Sequence, residues 1–258
     1  MAQRVADHDA VAVSMIVFAC VFGSSVAGIL LHRALPANNL SSDSENIVTV
    51  SMGLVVTLAA LVLGLLVSSA KGFYDNQNSE LTHMSARVIL IDRILAHYGP
   101  ETKEIRDRLR GIVADSIHTI WPQEFTHSSK PVAPPIGTET LIDDIQALSP
   151  KDDRQRSLQS QALSAMFGLA ETRWLMYEQG DAAVSGAMLV ILVSWLAAIF
   201  ISFGLFAPCN ATVIAALFVA GLSVSGAIFL ILEMYAPFRG VIKISSAHLR
   251  STLTQLGQ

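Results

Sequence analysis

The sequence predicts an all-α integral membrane protein with four transmembrane helices in two hairpins and a helical cytoplasmic segment between spans two and three. Hydrophobic residues make up 52% of the 258-residue chain, and the mean hydropathy is +0.50. Only 15% of the residues are charged, whereas soluble domains average about 25%. Four runs contain no Asp, Glu, Lys or Arg, and each has the roughly 20 residues that a helix needs to cross a bilayer. These runs are 10–31, 47–70, 182–207 and 211–232.

The first hairpin is predicted at residues 1–70, with spans at about 10–32 and 47–70. The apolar stretch after Arg4 is longer than the roughly 7–15 residues of a signal-peptide core. We therefore interpret it as a retained transmembrane helix. A short loop rich in Pro, Asn and Ser, from Pro36 to Asn46, joins the two spans.

Residues 71–181 form the predicted helical cytoplasmic domain. The stretch 71–98 continues from span two without a proline, which predicts one helix of about 50 residues through both segments. Pro100, with acidic residues beside it, is typical of a helix start. The helix that follows ends at Trp121-Pro122 and carries one apolar stripe at helical spacing. The stripe consists of Ile105, Leu109, Ile112, Val113, Ile117 and Ile120.

Two further elements are predicted in this domain. Residues 123–139 are rich in proline and are typical of a loop. Ser149-Pro150, followed by two aspartates, predicts the start of another helix that runs to about Gln179. The residues of this helix expected to face inward are Leu163, Met166, Phe167, Ala170 and Trp174.

The second hairpin is predicted at 182–235, with spans at about 182–207 and 211–232 joined by a tight turn, and a cytoplasmic tail at 236–258. The segment 71–181 holds 12 of the 17 Lys and Arg residues, whereas the loop 33–46 has only Arg33. Basic residues favour the cytoplasmic side of a membrane. We therefore expect a multi-pass protein of the inner (plasma) membrane type with both termini and the middle segment in the cytoplasm.

Several classes of function are disfavoured. The net charge of −4 argues against nucleic-acid binding. The two cysteines, Cys20 and Cys209, are predicted at different depths, and the sequence has no Cys/His cluster for a metal. The seven histidines are scattered and no catalytic motif is present, so we expect no enzyme activity, no cofactor and no metal site. No ionisable residue lies deep in a span, which disfavours an ion-coupled transporter.

Span two carries a narrow face of small residues, which we call the small face. It consists of Gly53, Thr57, Ala60, Gly64 and Ser68. Such a face allows close helix packing, or it lines a pore in an oligomer, and the residues alone leave both interpretations open. Two interpretations also stand for Glu233, at the inner end of span four. It is either an interfacial acid paired with a nearby Arg or Lys, or an acid at the inner mouth of a cation path.

Several motifs distributed along the chain resemble one family. One group runs from Gly53 through Gly64 to Glu80, and another is Arg108-Leu109-Arg110 followed by Trp121-Pro122. The longest motif is Phe203-Gly204-Leu205-Phe206-Ala207-Pro208-Cys209-Asn210, followed by Ser223-Val224-Ser225, by 229–233 and by Pro237-Phe238-Arg239-Gly240. Together they resemble the bestrophin-like domain family of bacterial integral membrane proteins over roughly residues 48–255. The resemblance implies a four-span helical subunit whose second span borders a central pore, as in the pentameric anion or cation channels of the true bestrophins.

The sequence also departs from the bestrophin pattern. In bestrophins the Pro-Phe motif after span four leads into an acidic cluster that binds calcium. Here Phe238 is followed by no acid through Lys243, so calcium gating through this element is not expected. The aromatic pore neck is also missing, because span two has no Phe, Tyr or Trp between Ile47 and Gly72. Any constriction would be aliphatic, with Val56, Leu63 and Val67 as candidates.

We therefore expect an oligomeric bestrophin-like membrane protein that acts as an ion channel. Its partners would be the lipid bilayer, ions and further copies of the chain, with a pentamer implied by the resemblance. The alternative is a non-conducting membrane scaffold or signalling protein whose cytoplasmic helices bind a partner. The expected pore-lining residues are Gly53, Val56, Thr57, Ala60, Leu63, Gly64, Val67 and Ser68, and the expected inner-mouth residues are Lys71, Glu233 and Arg239.

Overall fold

The chain is mostly helical in the part that the computed structural model describes, namely residues 6–36, 42–121, 137–179, 186–208, 210–238 and 240–257. The helices are α1 (Ala6–Ala34), α2 (Ser42–Tyr98), α3 (Lys103–Ile120), α4 (Gly137–Gln146), α5 (Asp153–Gln179), α6 (Gly186–Phe206), α7 (Ala211–Met234) and α8 (Ala247–Gln255), with a 3-10 turn at Pro100–Thr102. These described ranges contain no β-strand. The all-α prediction is therefore confirmed.

Four helices, α1, α2, α6 and α7, are long and apolar enough to cross a membrane. They cover the four charge-free runs of the sequence, although residues 182–185 at the start of the third run lie outside the described residues. Four apolar helices were predicted, and four are present in the described residues. Their pairing into two hairpins and the cytoplasmic placement of the middle segment stay predictions.

The first of two compact units contains α1, α6, α7 and the part of α2 up to Tyr74. Each of its four helices contributes to one apolar core, where Val21, Ala70, Leu192 and Ile228 are at most 1% exposed. A buried hydrogen bond from the Ser225 hydroxyl to the Ser14 carbonyl oxygen, 2.6 Å long, joins α7 to α1. The Asn210 side chain caps the start of α7 by accepting from Val213 N at 2.8 Å.

Two glycines bring α1 and α6 into backbone contact. A Cβ atom added at Gly28 would overlap the carbonyl oxygen of Ile201, and one added at Gly204 would overlap the carbonyl oxygen of Ser25. Small residues of this kind let membrane helices approach closely and gain van der Waals contact. The α1–α6 contact is therefore possible only with glycine at both positions.

The second unit contains α2 from Asp75 onward, α3, α4, α5 and most of the C-terminal tail with α8. Its α3 stripe is confirmed, since Ile105, Leu109, Val113 and Ile117 are buried. Inside the unit the carboxylate of Asp92 accepts two hydrogen bonds from Arg106, at 2.7 and 3.0 Å. This hydrogen bonding raises the pKa of the Arg106 guanidinium. Buried charges need such pairing to offset the loss of water.

Trp121, which ends α3, holds the C-terminal tail against this second unit. Its Nε1 donates to the carbonyl oxygen of Ile244 at 2.8 Å, and its ring meets that of Phe238 edge-on at 5.9 Å. The indole is 2% exposed. Buried tryptophans commonly find a partner for their N–H in this way.

Two sequence-based expectations for this unit were wrong. Residues 137–139 were expected in a loop but begin α4, a helix whose buried residues Leu141 and Ile145 are too few to form a visible pattern. On α5, Phe167 and Trp174 were expected to face inward but are 53% and 57% exposed. The buried stripe of α5 consists instead of Ala162, Met166, Leu169 and Thr172.

Candidate functional site

The second helix is the least packed of the four apolar helices. Within its most apolar 18-residue window, 11% of the residues are buried, compared with 28% in each of α1, α6 and α7. A membrane helix gains much of its fixed position from contacts with neighbouring helices. The membrane part of α2 therefore leaves most of its surface available to lipid, to water or to another chain.

Three faces follow from the helical period of this part of α2. The core face packs into the first unit through Ala59, Leu66 and Ala70, which are all buried. A second face is a ridge of exposed leucines, with Leu54, Leu58, Leu61 and Leu65 between 43% and 65% exposed. The third is the small face predicted from the sequence, and all five of its residues are exposed.

The small face is open and carries no charge. No atom lies within 4 Å of a Cβ added at Gly53 or Gly64. The Thr57 hydroxyl donates to the Gly53 carbonyl oxygen at 2.9 Å, which leaves its oxygen lone pairs as acceptors on this face. The small face is therefore weakly polar, through oxygen atoms that accept hydrogen bonds, and it has no charged group.

The aliphatic candidates for a constriction do not share one environment. Val56 and Val67 are 39% and 38% exposed beside the small face. Leu63 is partly buried and packs against the core of the first unit. The structure therefore places two of the three on the exposed surface of α2.

A groove of about 620 Å³ lies between α2, α6 and α7. Gly53 and Val56 of α2 form part of its wall. Its lining is apolar apart from the hydroxyls of Thr49 and Ser202. The groove is therefore largely apolar where Gly53 and Val56 line it.

Glu233, at the end of α7, is buried and hydrogen-bonded to backbone. It is 3% exposed, and its Oε2 accepts from the backbone N–H of Val241 at 2.6 Å and of Ile242 at 3.1 Å. Lys71, another residue expected at the inner mouth, is exposed. Arg239, the third, lies outside the described residues.

Tyr235, two residues beyond Glu233, contacts α2 near the C-terminal end of its apolar part. Its hydroxyl lies 3.1 Å from the Ser69 hydroxyl, and its ring stacks on Phe73 with centroids 5.2 Å apart. Sequence reasoning missed these residues, because an aromatic near the end of a span is common at any membrane interface. The available signal was the position of Tyr235 between the motifs at 229–233 and Pro237–Gly240.

Among the residues that the structure describes, no three His, Cys, Asp or Glu side chains lie close enough together to hold a metal ion. The arrangement of α2 can instead border a pathway or contact a second chain, since both need only an exposed face of small residues.

Four apolar helices, one of them largely unpacked in the single chain, define an α-helical integral membrane protein. The family model for the Bestrophin-like domain matches residues 19–249. The chain therefore belongs to the bestrophin-like family, which confirms the resemblance found in its motifs.

The fold is similar to crystal structures of a bacterial bestrophin homologue from Klebsiella pneumoniae. Three single-substitution variants of that protein match with TM-scores of 0.61, 0.69 and 0.64 and sequence identities of 14%, 13% and 13%. The matches cover 94–95% of this chain and 97–99% of the homologue. At this identity the likeness concerns the fold. A search of the curated proteins gave no match.

Proposed function

We propose that the protein is a subunit of an oligomeric ion channel of the bacterial inner membrane, in which α2 borders the central pathway. The observation that carries the proposal is the exposure of the whole small face on an apolar helix. Membership of the bestrophin-like family and the likeness of fold to the Klebsiella homologue support it. A pentamer is favoured by the family resemblance.

In this proposal several copies of α2 surround the pathway with their small faces. The face is uncharged from Gly53 to Ser68, so a narrow section of it would close by losing water rather than by a charged gate. Val56 and Val67 are the exposed aliphatic residues that we assign to the constriction. Leu63 would reach the pathway only after a rotation of α2 about its axis.

The proposed topology follows from the distribution of basic residues. The termini and the segment 71–181 lie in the cytoplasm, the apolar helices form two hairpins, and Lys71 lies toward the inner mouth with Arg239. The lipid bilayer, ions and other copies of the chain are then its partners. No cofactor is needed for passive conduction.

A second candidate function is a non-conducting membrane scaffold or signalling protein. The observation that favours it is the exposed apolar surface on α5, where Phe167, Trp174 and Leu175 are 53%, 57% and 48% exposed. Exposed aromatic residues in a domain that faces water are typical of a surface that binds a partner.

Two adjacent alanines of α2 provide a matched test of the channel proposal. Ala60 is exposed on the small face, whereas Ala59 is 4% exposed in the core of the first unit. Ala60→Asp would place a ring of carboxylates along a wet pathway, so the oligomer should assemble and its reversal potential should shift toward cations. Ala59→Asp should lower the yield of folded protein, because a carboxylate at the centre of a span costs about 2.5–3.5 kcal/mol. The measurements are oligomer yield in mild detergent and reversal potential in planar bilayers.

The outcomes separate the two candidate functions. Loss of the oligomer in Ala60→Asp, together with loss in Gly64→Leu but not in the exposed control Gly23→Leu, would identify the small face as a packed contact between chains. Normal assembly of Ala60→Asp without a shift of reversal potential in a conducting protein would remove α2 from the pathway. Absence of any conductance in the purified oligomer would favour the scaffold.

A further inference from the structure

The carboxylate of Glu233 is held in an unfavourable place by the turn that follows α7. It lies in the last turn of α7, where the negative end of the helix dipole opposes an anionic side chain. It is also 3% exposed, and a buried carboxylate is costly unless it is hydrogen-bonded. The backbone N–H groups of Val241 and Ile242 supply those hydrogen bonds to the same oxygen, Oε2.

Gly240 is the residue that permits this arrangement. Its φ of +75° lies in the left-handed region that favours glycine. A Cβ atom at this position would overlap the Glu233 carboxylate. Glu233 and residues 240–242 therefore form a specific closed turn, which we call the inner latch.

The inner latch is adjacent in sequence to the residue that contacts α2. Tyr235 N–H donates to the Ile231 carbonyl oxygen at 3.2 Å, so the ring is carried at the C-terminal end of α7, two residues after Glu233. The ring and hydroxyl of Tyr235 meet Phe73 and Ser69, which are four residues apart on one face of α2. Ser68 of the small face is next to Ser69 on α2. The direction of the Ser68 side chain therefore depends on how the contact with Tyr235 orients this part of the helix.

We infer that Tyr235, held by the inner latch, is a positioning residue that sets the orientation of the inner end of α2 and thereby of the small face. This inference rests on the proposed function, in which the small face borders the pathway. Loosening the latch or removing the Tyr235 contact then lets the inner end of α2 turn, and Ser68 leaves the pathway. Glu233 acts in this scheme through Tyr235 and does not contact the ion.

A thiol at position 68 reports this orientation without any need for conduction. The background carries Cys20→Ser and Cys209→Ser, which remove both native cysteines, and Ser68→Cys. The rate of its modification by a charged, membrane-impermeant thiosulfonate is measured in proteoliposomes. Tyr235→Ala removes a hydrogen bond and a ring contact, and we expect the rate and the conductance each to fall about tenfold. Tyr235→Phe keeps the ring contact, so we expect a smaller fall of about threefold.

Two controls separate positioning from a general loss of packing. Phe22→Ala removes a ring that stacks on Phe18 and meets Phe218, away from Ser69, and should leave the labelling rate within about twofold of the parent. Ser69→Ala removes the same hydrogen bond as Tyr235→Phe. The double variant should therefore show no larger change than either single variant.

The charge of Glu233 is tested by a conservative variant. In Glu233→Gln one amide oxygen can still accept from both Val241 and Ile242, so labelling rate, conductance and reversal potential should match the parent. Glu233→Ala and Gly240→Ala open the latch and should reproduce Tyr235→Ala. A shift of reversal potential in Glu233→Gln would instead identify Glu233 as an acid of the ion path and would overturn the inference.

Failure of the inference is distinguishable from failure of the proposed function. A parent protein that does not conduct contradicts the channel, while the labelling rates still test the latch. A conducting parent in which Tyr235→Ala and Phe22→Ala give the same labelling rate and the same conductance contradicts the inference alone.

Discussion

A buried hydroxyl at the end of α2 is a destabilising feature of the second unit. Tyr98 is 5% exposed, and none of the described residues forms a hydrogen bond with its Oη. An unsatisfied buried polar group costs about 1–3 kcal/mol. Tyr98→Phe should therefore raise the free energy of unfolding by about 1 kcal/mol at neutral pH, measured by thermal unfolding of the protein in detergent.

The same hydroxyl gives this prediction a pH dependence. Burial raises the pKa of Tyr98 above its ordinary value of 10.0, with a further contribution from Glu101. The folded state thus favours the neutral phenol. The contribution of this preference to the free energy of unfolding is fully present below pH 10 and is lost as the pH rises through the raised pKa. Tyr98→Phe should lose less stability between pH 9 and pH 11 than the parent. The partly exposed Tyr74→Phe is the matched control, and a lower melting temperature for Tyr98→Phe at pH 7 would contradict the argument.

Single residues were the hardest scale to predict from the sequence. Glu233 was identified as unusual, but its partners are backbone N–H groups of a turn eight and nine residues later, and no side-chain pattern encodes them. Tyr235 and Ser69 meet across two helices that are distant in the sequence. The small face was predicted as one stripe, because helical periodicity alone determines which residues share a face. The structure shows its five residues exposed, and their place at a pore stays a prediction.

At the level of helices, the contact between α1 and α6 depends on Gly204. Gly204→Ala would drive a methyl group into the Ser25 carbonyl oxygen, and neither backbone can move away without separating the helices. Overpacking of this kind typically costs about 1–3 kcal/mol. We expect Gly204→Ala to lower the melting temperature of the purified protein.

The control for this prediction is another glycine of the same helix pair. Gly23 of α1 has no atom within 4 Å of an added Cβ. Gly23→Ala should be neutral or slightly stabilising, because alanine favours a helix by up to about 1 kcal/mol over glycine. Equal melting temperatures for the two variants would show that the close approach contributes nothing to stability.

Helices were predicted well where composition decides, and less well where packing decides. The four apolar runs and the α3 stripe follow from charge-free length and from strong amphipathicity, which need no knowledge of the neighbours. The orientation of α5 depends on a neighbour. Arg87 of α2 donates to the Gly168 carbonyl oxygen and to Thr172 Oγ1. This contact turns Gly168 toward α2, so Phe167 and Trp174 point elsewhere, against the usual expectation that aromatics face the core.

For the whole molecule, the prediction that matters most is topology. A reporter fused after Gln258 or inserted near Pro134 should report the cytoplasm, and one inserted near Asn39 should report the outside. The physical reason is the concentration of Lys and Arg in 71–181 beside an outer loop with Arg33 alone.

The outer-loop fusion is the internal control for expression and insertion. A periplasmic signal near Pro134 would contradict the two-hairpin arrangement and would also place the inner latch on the opposite side of the membrane. The sequence supplies a hypothesis for the sidedness, because basic residues are counted along the chain, and it stays a prediction. It could not predict which helices contact one another, because all four spans are similarly apolar.

The glycine contact between α1 and α6 can form only after α6 has been synthesised, well after α1. Gly204 leaves the ribosome long after Gly28, by roughly 10–35 s at about 5–20 residues per second. During that interval α1 would lack α6, its principal partner, and Ser14 and Ser25, which are buried in the folded chain, would face lipid. If translation stops before α6, α1 remains in the bilayer without this partner, and its serine and glycine residues are exposed to lipid. We therefore expect a chain truncated before α6 to be degraded faster than the full-length protein, which pulse-chase labelling measures.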